Sequence, residues 1–290
     1  MVKVGTRPGF ETPGTSHGLR DVFTQRYLLR LLVDKEIQVR YRGSVLGLLW
    51  SYIKPAIQFI VFYVAMGLFL GLEKGIDNYA IYLFSGIVVV NFFTETFGNA
   101  ARSVVGNGGL IKKIYLPRQL FPASTLWVAV VHFVPQVAVL LVACVLAGWH
   151  PTFAQLGSGL VGFVIIGAFS LGLGFLFCAA NVFFRDAENI VDLVNMVAAW
   201  SAPVLYMWMM VQEALSNGFF AVYMLNPLTV AVELFHYAFW LPTNTGSTTW
   251  TLPPGMFPVW VPVSLFVSGG LLLLGDLVFR RLEGRFAQEL

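Results

Sequence analysis

Residues 119–147 read QLFPASTLWVAVVHFVPQVAVLLVACVLA, with no Asp, Glu, Lys or Arg among them. A helix rises about 1.5 Å per residue and a bilayer's hydrocarbon core is about 30 Å thick, so about 20 apolar residues suffice to cross it. This stretch exceeds that length, and it decides the solvent in which the chain folds. Outward from it the pattern recurs at 51–72, 79–101, 156–183, 190–211 and 258–279, giving six expected spans. Composition agrees. Of 290 residues, 57% are hydrophobic and 11% charged, against about 25% charged in a soluble domain. Those proportions exclude a soluble globule, and disorder, collagen and coiled coil fall with it. The expected fold class is an all-α integral membrane protein.

A seventh apolar stretch, 219–241, is interrupted by Asn226-Pro227. Neither piece is long enough to span alone, so a re-entrant or interfacial hairpin between spans five and six is expected. The basic residues support that count. Seventeen of the eighteen Lys and Arg fall on one side of a six-span chain: nine within 1–54, then Arg102, Lys112, Lys113 and Arg118, then Arg185, then Arg280, Arg281 and Arg285. Lys74 alone lies opposite. The positive-inside rule then places both termini in the cytoplasm, and a seventh span would carry the basic tail outside. No cleavable signal peptide is expected, because the first long apolar run starts near residue 45.

Residues 1–18 carry two prolines and four glycines and read as a flexible cytosolic arm. Over 19–36, Val22, Phe23, Tyr27, Leu31 and Leu32 recur at helical spacing, with Arg20, Arg26 and Arg30 toward another side. This is the pattern of an amphipathic helix on a membrane surface, either a plain anchor or a docking element. The organisation is thus an arm at 1–18, an interface helix and connection at 19–50, and a six-span domain at 51–290.

Motifs for chemistry are missing. There is no GxxxxGK[ST], HExxH, CxxC or GxSxG, and Cys144 and Cys178 lie in separate apolar runs. Glu73, Asp77, His150, Glu213, Glu233 and His236, on the expected external side, are scattered along the chain. An integral-membrane enzyme is therefore poorly supported. Within the spans, Asn91, Glu95 and Asn99 follow one another at i, i+4 and i+8 and form a polar stripe. The stripe is either a wet channel wall or an interhelical hydrogen-bond seam with Arg102 near Glu95. His132 and Gln136 make a similar pair in the third span, where a structural role is expected. Aromatics near span ends read as interface belts or core, and otherwise as faces on which sugars stack. Ser158/Gly162, Ala168/Gly172 and Ser170/Gly174 are small-xxx-small pairs that let helices approach closely.

Arg40-Tyr41-Arg42-Gly43-Ser44-Val45-Leu46-Gly47-Leu48-Leu49-Trp50, followed by Lys54-Pro55, resembles the start of the first span in permeases of type-2 ABC exporters of O-antigen, teichoic acid and related polysaccharides. The likeness continues in order through Gly86–Phe93, Asn107, Leu110-Ile111-Lys112-Lys113, Leu116-Pro117-Arg118 and Pro122. It goes on through Phe184-Arg185-Asp186, Ala202-Pro203-Val204-Leu205-Tyr206, Leu225-Asn226-Pro227-Leu228 and the tail from Phe279 to Leu290. It covers residue 20 to the end, and it extends to the actinobacterial galactan exporter branch. The resemblance implies six spans, an N-terminal interface helix and external re-entrant helices. It also implies a homodimer with a central path and two copies of a separate P-loop ATPase that binds the ATP and Mg, with no cofactor in this chain and no nucleic acid partner. The implied substrate is a lipid-linked polysaccharide, moved across a bacterial cell membrane. Along its path stand Trp50, Tyr52, Lys54, Phe59, Tyr63, Asn91, Glu95, Asn99, Trp200 and Tyr206. Lys54 meets a lipid pyrophosphate there or simply snorkels. ATPase coupling falls to Arg26, Arg30, Asn107, Lys112, Lys113, Arg118, Arg185 and Asp186. The alternatives are a short docking helix before Pro117 or a basic loop on anionic lipid, and, for Asp186, a cap on span five. Two further alternatives are an exporter of a small lipid or drug and a membrane enzyme of cell-wall assembly.

Overall fold

The computed structural model describes residues 18–113, 116–215, 217–244 and 250–290, so the expected arm lies outside the described residues except for Gly18. All regular elements among the described residues are helical. Two helices, α1 (Leu19–Thr24) and α2 (Arg26–Tyr41), precede the first long one. That one starts in a 3₁₀ turn at Gly47, continues as α3 (Trp50–Phe62) and ends in π-helical turns through Phe69. Next come α4 (Tyr79–Gly106), the single turn α5 (Gly108–Ile111), α6 (Leu120–Leu146) and α7 (Phe153–Phe183). The second half holds α8 (Ala187–Ser201), α9 (Trp208–Ala214), α10 (Asn217–Met224), α11 (Pro227–Phe235), α12 (Val261–Leu282) and α13 (Phe286–Glu289).

Five helices among the described residues are long and apolar enough to cross a membrane: Gly47–Phe69, Tyr79–Gly106, Leu120–Leu146, Phe153–Phe183 and Met256–Arg285. Burial separates them into inner and outer. In its most apolar window α4 is 72% buried, whereas the first is 11% and the last 17% buried. Helix α4 is therefore the core of the bundle, and α3 and α12 present most of their surface to the surroundings. Phe92, Phe93 and Phe97 of α4 are spent on that core, packing on Phe133, Phe169 and Phe177.

Helix α7 meets three neighbours at its small residues. A Cβ on Gly172 would lie 2.6 Å from the Leu272 backbone nitrogen of α12, and one on Gly174 would lie 2.5 Å from the Ala100 Cβ of α4. Gly162 faces the Ala231 carbonyl of α11, and the Ser158 hydroxyl donates to the Leu234 carbonyl at 3.3 Å. The small-xxx-small pairs are thus the contacts that seat α4, α11 and α12 on α7.

The fifth expected span, 190–211, is not one helix. Helix α8 ends at Ser201, and at about 22 Å it falls short of the hydrocarbon core. Pro203 disfavours helical backbone at the residue before it, and Ala202 is extended, with φ −115° and ψ 154°. The Tyr82 hydroxyl of α4 serves the carbonyls the break exposes, Pro203 at 3.0 Å and Tyr206 at 2.7 Å. Asp186 sits at the N-cap position of α8, but its side chain makes no capping hydrogen bond.

The interrupted stretch at 219–241 bends by 75° between its two helical parts. Asn226 starts α11 by accepting from the Leu228 N–H at 3.1 Å, with Pro227 as the first helical residue. All nine residues of α11 are buried. This is a bent element inside the bundle rather than one lying on its surface.

The N-terminal amphipathic face also differs from its reading. Helical structure breaks at Gln25 and then runs on to Tyr41. Val22, Leu29 and Leu32 are buried, while Phe23, Tyr27 and Leu31 are exposed. The buried three join Ile111, Leu120, Phe121, Phe175, Phe279 and Phe286 in one apolar cluster. The start of the described chain, the turn after α4 and the C-terminal tail therefore meet at one end of the bundle.

Candidate functional site

A polar cavity of about 640 Å³ opens between the end of α2, the first turns of α3, the middle of α4 and the middle of α6. Its wall includes Arg40, Tyr41, Trp50, Ser51, Lys54, Gln58, Asn91, Thr94, Glu95, His132 and Gln136. Helical spacing explains the convergence. Ser51, Lys54, Pro55 and Gln58 share one face of α3, Asn91 and Glu95 one face of α4, and His132 and Gln136 one face of α6.

Hydrogen bonds join four of these segments. The Arg40 guanidinium donates to Glu95 Oε1. His132 Nδ1 lies 2.6 Å from the same oxygen. The Tyr41 hydroxyl lies 3.0 Å from His132 Nε2 and 2.5 Å from Ser51 Oγ. Gln136 Nε2 holds the ring's own backbone, donating to the His132 carbonyl at 3.1 Å. A carboxylate can only accept, so Nδ1 carries a proton. With a neutral ring, Tyr41 donates to Nε2 and Ser51 to Tyr41. With a charged ring, both of those bonds reverse. One ion pair and one relay therefore tie α2 to α3, α4 and α6.

Lys54 lines the same cavity and has no hydrogen bond or ion pair among the described residues. Arg40 is balanced by Glu95, so Lys54 is the uncompensated cation of the cavity. Among the described residues no group of three or more His, Cys, Asp or Glu stands close enough to hold a metal.

The expected path residues divide among several places. Trp50, Lys54, Asn91 and Glu95 line the polar cavity. Tyr52 and Phe59 line an apolar one beside it. Asn99 lines a third, of about 210 Å³, with Lys35, Glu36, Arg40, Arg102 and Asn107. The stripe on α4 thus faces two spaces, with Arg40 between them. Tyr63 donates to Glu73 Oε2 at 3.1 Å and stacks on Phe59. Trp200 and Tyr206 line none of these spaces: they bracket the break after α8, where the Tyr206 hydroxyl donates to the Trp200 carbonyl at 2.8 Å. The suggested Arg102–Glu95 seam is not formed. Arg102 instead clamps α4 to α8 through Glu188 and Asp192, each at 2.5 Å.

The expected coupling residues are largely solvent-facing. Arg26, Arg30, Lys112, Lys113, Arg185 and Asp186 are exposed. The Arg118 guanidinium lies 5.9 Å from the centre of the Phe286 ring. Asn107 is a joint: it accepts from Lys35 of α2 and donates to the Ser103 carbonyl at 2.8 Å. The short helix expected before Pro117 is the one-turn α5, ending at Ile111 with Lys112 as its C-cap.

Arg40, Tyr41 and Ser51 were not singled out from sequence as site residues, although Arg40-Tyr41 opens the segment that carries the family likeness. Their signal was the adjacency of that segment to Glu95 and His132 in space, which spacing along the chain does not reveal.

The sequence pattern of the ABC-2 type transporter family matches residues 27–240, from α2 to the π-helical turns after α11. The chain belongs to this family. An O-antigen export system permease protein RfbA of Klebsiella pneumoniae is 27% identical over 266 residues, covering 91% of this chain and 95% of the relative. One from Myxococcus xanthus is 27% identical over 224 residues, covering 77% and 84%. The capsule polysaccharide export inner-membrane protein CtrC of Neisseria meningitidis is 22% identical over 181 residues, covering 62% and 68%. With its five membrane-length helices among the described residues, this ABC-2 chain is a multi-pass bacterial membrane protein, related at low identity to permeases of O-antigen and capsule export. In ABC-2 transporters such a permease domain is typically not the catalytic part.

Proposed function

We propose that this chain is the permease subunit of an ATP-driven exporter that moves a lipid-linked polysaccharide out of the cytoplasm. The observation that carries the reading is the Arg40–Glu95–His132 junction, in a chain whose relatives are named as O-antigen and capsule export permeases. The junction fixes the N-terminal helix to the wall of a polar cavity inside an apolar bundle. A push on α2 therefore reaches α3, α4 and α6 without passing through loops. In the full transporter two copies of the chain form a homodimer. Two copies of a P-loop ATPase subunit bind ATP and Mg and push on α2, α5 and the loop to Arg118. Both termini are cytoplasmic, which is where the gathering of α1, α5 and α13 at one end of the bundle would put the ATPase surface. Residues 19–50 act as interface helix and connection, and 51–290 as the transmembrane domain. Its cargo is a polymer of the O-antigen, teichoic acid or galactan type.

The test begins with assembly. Lys112→Glu with Lys113→Glu reverses two exposed charges beside α5. The double variant is expected to lose most ATPase co-purification while remaining folded and membrane-inserted. Undiminished co-purification would remove the docking role of this loop. A chain that neither captures an ATPase nor alters its turnover would remove the exporter reading.

A further inference from the structure

Glu233 of α11 and His236, which opens the π-helical turns after it, both have fully buried side chains. They lie beside Tyr82, one turn into α4 and at the opposite end of that helix from α5. His236 Nε2 lies 3.2 Å from the Tyr82 carbonyl, which can only accept, so Nε2 carries a proton. Nδ1 faces Glu233 Oε1 at 3.8 Å, and among the described residues neither Glu233 oxygen nor Nδ1 makes a hydrogen bond. With an ionised carboxylate and a neutral ring, two acceptors would face each other across that gap and a bare charge would stand in the core. An unpaired buried charge is among the costliest arrangements a fold can hold. One proton removes the conflict, on the carboxyl or on Nδ1, because either way the pair is neutral overall and one member donates toward the other.

No other charged group among the described residues supplies that compensation. The remaining titratable groups facing Glu233 are the phenols of Tyr82, Tyr206 and Tyr223, with Tyr79 beside Tyr82. The Tyr82 and Tyr206 hydroxyls donate to backbone carbonyls, and Tyr237 packs on Phe257. Helix α7 holds no Asp, Glu, Lys, Arg or His. His132 of α6 is committed to Glu95, Glu188 and Asp192 of α8 to Arg102, and Asp276 and Arg280 of α12 lie against Gly18.

Tyr82 joins the pair to the break after α8. Its ring stacks on His236, 3.9 Å between centres and 17° from parallel, while its hydroxyl holds the Pro203 and Tyr206 carbonyls. Thr229 of α11 adds a bond to the Ser201 carbonyl at 3.2 Å. We propose that Glu233 and His236 form a proton-binding site that holds one proton between them, and that this proton locks α11 to the break after α8. Losing it leaves the bare charge in the core, and the element bent at Asn226-Pro227 is the one that must move to let water reach it. The proposal concerns the chain by itself and does not depend on the exporter reading.

The test is reversible unfolding of the full-length chain in mixed detergent micelles from about pH 4 to about pH 9, spanning both groups. The double variant Glu233→Gln with His236→Phe titrates neither group and supplies the background. In the unfolded chain Glu takes up its proton near about pH 4.3 and His near about pH 6.5. Between those values both states of the wild type hold one proton, and its stability relative to background should be level. Above about pH 6.5 the folded pair holds one proton more than the unfolded chain, so stability should fall as pH rises, by up to about tenfold in the folded-to-unfolded ratio per pH unit. Glu233→Gln should reverse the slope, level above about pH 6.5 and falling as pH drops below it. Glu233→Met takes its place if the Gln variant does not fold. His236→Phe should begin its loss near about pH 4.3, with His236→Gln as the substitute should the ring variant fail to fold. A wild-type profile that matches the background would mean an ionised, hydrated Glu233 and would overturn the proton site. Amide hydrogen exchange, corrected for its intrinsic pH dependence, should rise with pH over 204–206 and 228–236 in the wild type and stay level in Glu233→Gln. Level exchange in the wild type beside the expected stability slope would overturn the lock.

Discussion

Glu95→Gln is expected to reduce transport by tenfold or more while leaving the chain inserted and able to assemble. The substitution keeps the shape of the side chain and removes its charge. Arg40 then loses its counter-ion, and His132 loses a charged acceptor for one of neutral strength. A hydrogen bond to a charged group contributes about 1.5–3 kcal/mol, and the lower end applies here because the Arg40 side chain is 34% exposed. That loss is small against what holds the bundle together. It is large against a coupling element, where about 1.4 kcal/mol shifts a two-state balance tenfold. Arg40→Gln should produce the same defect, and the double variant should be little worse than either single, since both remove one interaction. Export measured as polymer reaching the outer surface, beside membrane levels of the protein, separates the two effects. Unchanged export by Glu95→Gln would return Glu95 to a structural seam.

Gly172→Ala is expected to give the largest loss of stability for a single added methyl group. Its Cβ would fall 2.6 Å from the Leu272 nitrogen and 2.8 Å from the Leu271 carbonyl carbon, and backbone atoms cannot rotate aside. The opposite contact is equally close, since a Cβ on Gly275 would lie 2.5 Å from the Gly172 oxygen. Helices α7 and α12 must therefore separate, at a cost of about 1–3 kcal/mol for overpacking. Gly269→Ala on α12 is the control, because nothing lies within 4 Å of its Cβ. Thermal unfolding in detergent should show a clear drop for Gly172→Ala and for Gly275→Ala, and almost none for Gly269→Ala. A drop shared by all three would contradict the close-packing account, because backbone entropy by itself makes Gly→Ala in a helix stabilising.

The spans were legible because lipid imposes a length and an apolarity that few residues can violate. The 119–147 stretch and α6 agree at both ends within one residue. The glycines of α7 were legible for a related reason, since close helix approach admits only small side chains at those positions. The fifth span misled because its apolar composition matched that of a span, while Pro203 and the Tyr82 hydroxyl favour a break. That hydroxyl comes from about 120 residues earlier in the chain, and no local pattern announces it. The polar site was half legible. Glu95 and His132 stood out as polar residues inside spans, but Arg40 reaches Glu95 only because α2 runs on to Tyr41. The amphipathic reading of the N-terminus was legible in part. It offered lipid or a docking partner to the apolar face, whereas Val22 and Leu32 of that face pack on protein of the same chain and Phe23, Tyr27 and Leu31 are exposed.

The most direct measurement is ATP-dependent translocation by the purified permease with its ATPase in sealed vesicles, scored by a glycosidase that reaches only one leaflet. Lipid-linked polymer is expected to change leaflet with ATP, to stay when ATP is withheld, and to move tenfold more slowly or worse with Glu95→Gln. Polymer that crosses at the same rate without ATP, or an assembled complex that turns over ATP and moves none, would contradict the account.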